Sequence, residues 1–142
     1  MIIEKLKKTD LVSYKELIDD AFDGSNDLEL YSKYDENSPS YEIIVIKEND
    51  EIVASITMYK LDLFTFSFQP ALELFNVAVK KAYRRQNYGK IIMNYVIDYA
   101  KENGYKTINL TCLESETGVH SYYESVGFKK VASRKYSMYL GE

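Results

Sequence analysis

Between Lys80 and Lys90 the chain reads KKAYRRQNYGK, five basic residues with no acid among them. The stretch runs into a helical pattern whose N-terminus offers unpaired backbone N–H groups and the positive end of a dipole. Asn87 and Gly89 tolerate positive φ or allow close backbone approach. Together these features suit a pyrophosphate. The stretch is not a Walker loop, because Gly89-Lys90 is followed by Ile91 and lacks both the first glycine and the Ser/Thr. The three glycines of a dinucleotide fingerprint are missing as well. A solvated basic helix start and a nucleic-acid backbone contact are the competing readings, and the net charge of −4 disfavours the second.

Two further places carry groups that move protons. Glu73 lies in an apolar strand pattern where regular alternation sets it on one face with Phe75, Val77 and Val79. A carboxylate on such a face tends towards a raised pKa, as general bases do; an edge position in water is the alternative. Tyr122-Tyr123 lies in a short helical pattern, and either phenol can act as a general acid or serve only packing. His120 and Cys112 are the only residues of their kinds. They exclude an intramolecular disulfide and a Cys/His zinc site within one chain. Cys112 is expected as a small buried residue and His120 as a packing or helix-surface residue.

The elements that must hold these residues follow from periodicity. A length of 142 residues, with 46% hydrophobic and 28% charged, fits one soluble globular domain, residues 1–142, with a proper core. No apolar run approaches the roughly 20 residues of a membrane helix, and no signal-peptide core precedes Asp10, so a cytoplasmic protein is expected. Asp10 to Phe22 predicts a helix capped by Thr9 or Asp10, with Leu28 to Tyr34 a second, short one. Tyr41–Lys47 and Glu51–Lys60 predict a hairpin about a polar turn, the first strand buried on both faces and the second alternating. An aromatic connection, Leu61–Pro70, leads to a strand over Ala71–Val79. Tyr88 to Asn103 is the strongest amphipathic helix, stopped by Gly104. A strand over Lys106–Leu113, a helix over Thr117–Val126 ended by Gly127, and a last strand over Val131–Leu140 complete a mixed α/β chain, largely antiparallel in its first half.

This order, with Arg84, Arg85, Gln86, Asn87, Tyr88 and Gly89 in the basic turn and Tyr122, Tyr123, Glu124, Gly127 and Phe128 late in the chain, resembles the GNAT superfamily of N-acetyltransferases. Arg84 and Gly89 match the acyl-CoA signature, and Asn87 stands where its first glycine is usual. Glu116 stands where many relatives keep an asparagine that contacts pantetheine. The resemblance covers roughly Asp10 to Leu140. It implies a central, mostly antiparallel sheet of six to seven strands, α+β-like, with about four helices and a splayed strand pair that binds acyl-CoA. It implies a β-bulge in the strand Ala71–Val79, backbone contacts from Val77, Ala78 and Val79, and a pyrophosphate site over Arg84–Lys90. It further implies direct attack of an amine on acetyl-CoA, with Glu73 as base, Tyr123 as acid and no metal. The expected partners are acetyl-CoA and an unidentified amine, without nucleic acid or membrane; a homodimer is left open. Asp23, Asp27 and Glu29 would suit a cationic amine or would simply face water. A catalytically silent acyl-CoA sensor is the alternative from another functional class.

Overall fold

The computed structural model describes residues 1–63, 65, 67–112 and 117–141, which fall into two compact units, Met1–Thr111 and Cys112–Glu142. In the first unit, β1 (Ile2–Lys5), β2 (Tyr41–Glu48), β3 (Glu51–Leu63), β4 (Gln69–Val79) and β5 (Thr107–Asn109) stand side by side in chain order. Helices α1 (Leu11–Ala21) and α2 (Leu28–Tyr31) precede β2, and α3 (Tyr88–Glu102) joins β4 to β5. Neighbouring strands are antiparallel up to β4, whereas β4 and β5 run parallel and so need the α3 crossover. The second unit contains α4 (Thr117–Ser125).

Among the described residues the sheet has five strands, against the six to seven expected. No strand forms over 131–140, where Val131, Tyr136, Met138, Tyr139 and Leu140 are exposed. A β-rich composition states a preference, and pairing along an edge makes a strand. β5 is likewise confined to Thr107–Asn109 within the expected Lys106–Leu113, and Leu113 lies outside the described residues, as do Phe64 and Phe66 of the aromatic connection. β1 was not expected at all, because four residues are too few to display a period.

The hairpin turn is tighter than the three polar residues suggest. Asn49 and Asp50 take φ of +50° and +66°, the pair of left-handed residues that a two-residue type I′ turn requires. β3 departs from simple alternation: Ile52 to Met58 are all buried, including Ser55 and Thr57. It is the central strand and is covered on both faces. On one face α1 packs Tyr14 and Leu17 into a cluster with Leu6, Tyr34, Ile43, Val45, Ile52 and Ala78. Asp10 does not cap α1 through its side chain; its carboxylate holds Lys47 at 3.0 Å instead. On the other face α3 supplies Ile92, Met93, Val96 and Ala100, packing against β2, β3 and β4. Fully buried Ile92, Met93 and Val96 contribute about 1.5–3 kcal/mol each, and Ala100 less. Glu42 of β2 ties the sheet to α3 by accepting from Tyr99 and pairing with Lys60, both at 2.8 Å. Burial alone would raise the Glu42 pKa, but these two partners hold it below its usual value.

β4 is interrupted once, and the interruption decides what faces what. Opposite β3, Thr57 pairs with Phe75 and Ser55 with Ala78, so Asn76 and Val77 together oppose the single residue Ile56. This is the expected β-bulge, with Asn76 at φ +54°. Register then sets Glu73, Phe75 and Ala78 on the α1 face, and Leu72, Leu74 and Val79 on the α3 face. Regular alternation had grouped Glu73 with Val77 and Val79; the extra residue in the bulge breaks that grouping.

Candidate active site

The chain leaves β4 at Val79 and turns through a 3-10 segment, Lys81–Tyr83, into α3. Lys80 pairs with Glu51 at 3.2 Å, and Glu51 also accepts from the Tyr83 hydroxyl at 3.2 Å. The Lys81 backbone N–H donates to the Asp20 carboxylate at 2.7 Å. The Lys81 ammonium pairs with Asp23, and that bond holds the Asp23 carboxyl below its usual range. Arg84 donates from Nε to the Val79 carbonyl and from a terminal nitrogen to the Ala21 carbonyl, both at 3.2 Å. Lys80, Lys81 and Arg84 therefore brace the loop against β3 and the end of α1. Arg85 and Lys90 are exposed and make no ion pair among the described residues.

Backbone geometry leaves the start of α3 open. Asn87 is the N-cap of α3 at φ +67°, and its side chain makes no capping hydrogen bond. The first-turn N–H groups of Tyr88, Gly89 and Lys90 thus lack a side-chain cap. Asparagine is among the few non-glycine residues that visit this region readily, which accounts for its place where the signature has glycine. Arg85 is also left-handed, at φ +66°, and nothing in its residue type foretells that. Gln86 reaches back to the Ala82 carbonyl at 3.5 Å, and the Tyr88 ring stands edge-on to Tyr83. Gly89 has ordinary helical backbone. A Cβ there would meet only Val79 Cγ2, at 3.9 Å. Neither strain nor internal packing demands glycine at this position, so its bareness leaves open surface beside the helix terminus.

Asn87→Val is expected to lower stability by about 1–2 kcal/mol, because a β-branched residue resists left-handed backbone, while Asn87→Gly stays close to wild type. Thermal melts of the two variants check this; equal melting temperatures would contradict the backbone assignment.

The strand that enters the loop is half uncovered. β5 pairs with β4 only at Ala71, Leu72 and Glu73. From Leu74 through Val79, no described residue pairs with that edge. The splay begins beside Glu73, and roughly 18 Å of strand separate Glu73 from Val79. Ala78 is buried in the α1 cluster, and Val77 is half-buried in the bulge. The half-buried Glu73 stands opposite Tyr59 and lines a cavity of about 460 Å³ with Tyr59, Leu61, Phe75 and Asn76. Tyr59 and Asn76 also line a second cavity of about 520 Å³ that runs towards α1 and α2. Sequence reasoning missed both residues. Tyr59 was one of 14 tyrosines with no distinguishing neighbour, and Asn76 acquires its place only through the bulge.

In the second unit, α4 ends in a Schellman motif. The Phe128 N–H donates to the Tyr123 carbonyl at 3.0 Å, the Gly127 N–H to that of Glu124 at 3.2 Å, and Gly127 has φ +109°. The Phe128 ring meets Tyr123 edge-on at 5.8 Å, the apolar contact that commonly accompanies this stop. Tyr-Glu-x-x-Gly-Phe is thus in part the chemistry of a helix end. Tyr123 is half-buried, with Tyr122 beside it at 5.5 Å. The Tyr122 hydroxyl is buried without a hydrogen-bond partner among the described residues, and burial raises its pKa. His120 lies on α4. Cys112, expected to be buried in a strand, is exposed and lies beyond the end of β5. Glu116 lies outside the described residues.

Sequence comparison bears on this geometry directly, since the model of the Acetyltransferase (GNAT) family matches residues 11–128. The chain belongs to the GNAT family. The [ribosomal protein bS18]-alanine N-acetyltransferase of Haemophilus ducreyi is 34% identical to this GNAT chain over 89 residues, covering 62% of this chain and 56% of the relative. The enzyme of that name from Escherichia coli K12 is 34% identical over 62 residues, 44% of this chain and 42% of the relative. The chain thus spans about half the length of these curated relatives. Among solved structures, a transcriptional regulator from Bacillus halodurans C-125 superposes with a TM-score of 0.85 at 21% identity, covering 98% of this chain and 99% of that one. At that identity the likeness speaks for the fold alone.

Proposed function

We propose that this GNAT chain, residues 1–142 working as one domain, is an acetyl-CoA-dependent N-acetyltransferase acting on an amine, in a cytoplasmic setting. The observation that carries the reading is the cradle at the start of α3. Three bases brace the loop, while Arg85, Lys90, the uncapped N–H groups and the bare surface at Gly89 are left for an anion. These residues fit the pyrophosphate of CoA. The long reach along β4 to Glu73 suits a donor whose anionic and reactive ends are held apart by an arm. Backbone groups of Val77, Ala78 and Val79 on the splayed strand would hold the pantetheine arm and the thioester carbonyl, and an N–H aimed at that carbonyl would polarise it. CoA supplies the acetyl group as an activated thioester.

The protein's part is proton handling. Glu73 takes a proton from the ammonium, and the neutral amine attacks the acetyl carbon. The C–N bond forms and the C–S bond breaks; Tyr123 protonates the departing thiolate, and the second amine proton passes through solvent to restore the phenol. The products are an N-acetyl amine and the free thiol. The partial match to enzymes named for an alanine amine supports an amine acceptor. No described helix is long and apolar enough to cross a membrane.

Calorimetric titration with acetyl-CoA, with ATP as control, tests the reading. Micromolar binding tighter than ATP, followed by release of free thiol when an amine is added, is expected. Binding without turnover on any amine would point to the sensor; absence of binding at millimolar acetyl-CoA would end both readings.

A further inference from the structure

The cavity of about 520 Å³ that meets the Glu73 cavity at Tyr59 and Asn76 is walled by tyrosine rings. Tyr14, Tyr31, Tyr34, Tyr41 and Tyr59 all contribute. The rings support one another: Tyr14 and Tyr31 lie 5.7 Å apart, Tyr34 and Tyr41 6.0 Å, and Tyr41 and Tyr59 5.6 Å. Two of their hydroxyls are committed to backbone. Tyr34 donates to the Leu6 carbonyl at 2.7 Å, and Tyr41 accepts from the Asp35 N–H at 2.9 Å. Burial pushes the Tyr14 pKa up to about 12, so that hydroxyl stays neutral. What the walls offer a guest is therefore ring surface edged by uncharged polar groups, Asn26, Thr57 and Asn76 among them.

The charge lining is as informative. Lys33 is the one charged residue among the described residues that line this cavity, and it makes no ion pair with them. The acids nearby have other work. Asp19 holds Lys15 at 2.6 Å and the Asn26 N–H at 2.9 Å, Asp23 holds Lys81, and Asp27 caps α2 by accepting from the Glu29 N–H at 3.0 Å. Glu29 is exposed and does not line the cavity. Asp23, Asp27 and Glu29 therefore do not form an acidic socket here. A polycation in this cavity would meet Lys33, and no carboxylate is among the lining residues until Glu73 in the adjoining cavity. The two cavities, which share Tyr59 and Asn76 in their walls, have room for one positive group, at Glu73, and for an uncharged body among the rings.

We infer that the acceptor is a monoamine with an aromatic or apolar body and no second positive charge, the body seated among the tyrosines and the amine presented to Glu73. This deepens the acetyltransferase reading and rests on it for what happens to the amine, but the preference itself is read by binding. Phenethylamine and spermidine are titrated calorimetrically into the full chain, wild type, Lys33→Glu and Lys33→Met. Phenethylamine is expected to bind roughly tenfold or more tightly than spermidine. Lys33→Glu should raise spermidine affinity and narrow that ratio, with Lys33→Met in between. Lys33 is exposed, so neither variant threatens the core.

A wild-type preference for spermidine, an unchanged ratio in Lys33→Glu, or no binding of either amine at millimolar concentration overturns the inference. Tighter binding of an alanine-initiated peptide than of phenethylamine also overturns it, in favour of a peptide acceptor. Selective phenethylamine binding without acetylation in the presence of acetyl-CoA would sink the enzyme reading and leave the cavity assignment standing. Acetylation of spermidine alone would do the reverse.

Discussion

Gly89→Glu is expected to abolish acetyl-CoA binding in a protein that still folds. Gly89 is the second residue of α3 and has ordinary helical backbone, and an added Cβ meets only Val79, at normal contact distance. A glutamate in the first turn of a helix is mildly stabilising, by about 0.3–1 kcal/mol. Its carboxylate would stand where the uncapped N–H groups and Lys90 converge, satisfying the donors an anionic ligand needs and repelling its phosphates. Losing two charge-assisted hydrogen bonds of about 1.5–3 kcal/mol each weakens binding by roughly a hundredfold or more. Gly89→Ala provides the graded control. Alanine favours the helix over glycine by about 1 kcal/mol, so its melting temperature should rise while its affinity falls. Calorimetric titration paired with thermal melts reads both quantities. Wild-type affinity in Gly89→Glu would remove the α3 terminus from the site.

What the sequence disclosed depended on how local the physics was. α3 was legible nearly to the residue, because a three-turn apolar stripe and a glycine stop are written in consecutive positions. Gly104 has φ +75°, and the Tyr105 N–H donates to the Ala100 carbonyl at 3.0 Å, as that stop requires. The hairpin was legible for the same reason. β1 and the absent strand over 131–140 were not, because each depends on whether a distant edge is available. β1 finds β2, pairing Ile2 with Lys47 and Lys5 with Ile44, and no local period announces that meeting.

The candidate site divides along the same line. The basic turn and Asn87 were visible as residue types, and the structure gives Asn87 the left-handed backbone its type permits. The division of labour among the bases was invisible, since it is decided by Glu51, Asp20, Asp23 and the Ala21 carbonyl, all remote in sequence. The direction of Glu73 was open to the same error. One extra residue in β4 turns the register over, and only the pairing with β3 reveals which residue is extra. Tyr59 enters the site because it stands opposite Glu73 across that ladder.

That placement makes Glu73→Gln the sharpest test of the chemistry. An alkyl ammonium with a pKa near 10.4 must lose a proton before it can attack, at a cost of about 4–5 kcal/mol at pH 7. A positioned base recovers part of that barrier, roughly a hundredfold to ten-thousandfold in rate. The Glu73 carboxylate has no hydrogen bond or ion pair to any described residue, so the amide replaces it without orphaning a partner, and the melting temperature should not move. Glu73 is also far along β4 from the α3 cradle, so affinity for acetyl-CoA should be unchanged. With phenethylamine as acceptor, kcat/KM at pH 7 is expected to fall by roughly a hundredfold. The deficit should shrink as pH rises towards the pKa of the amine, because the acceptor then arrives already deprotonated and needs no base. A loss that stays constant across that range would mean Glu73 positions the amine without deprotonating it. Rates equal to wild type at every pH would leave the proton to solvent and take Glu73 out of the reaction.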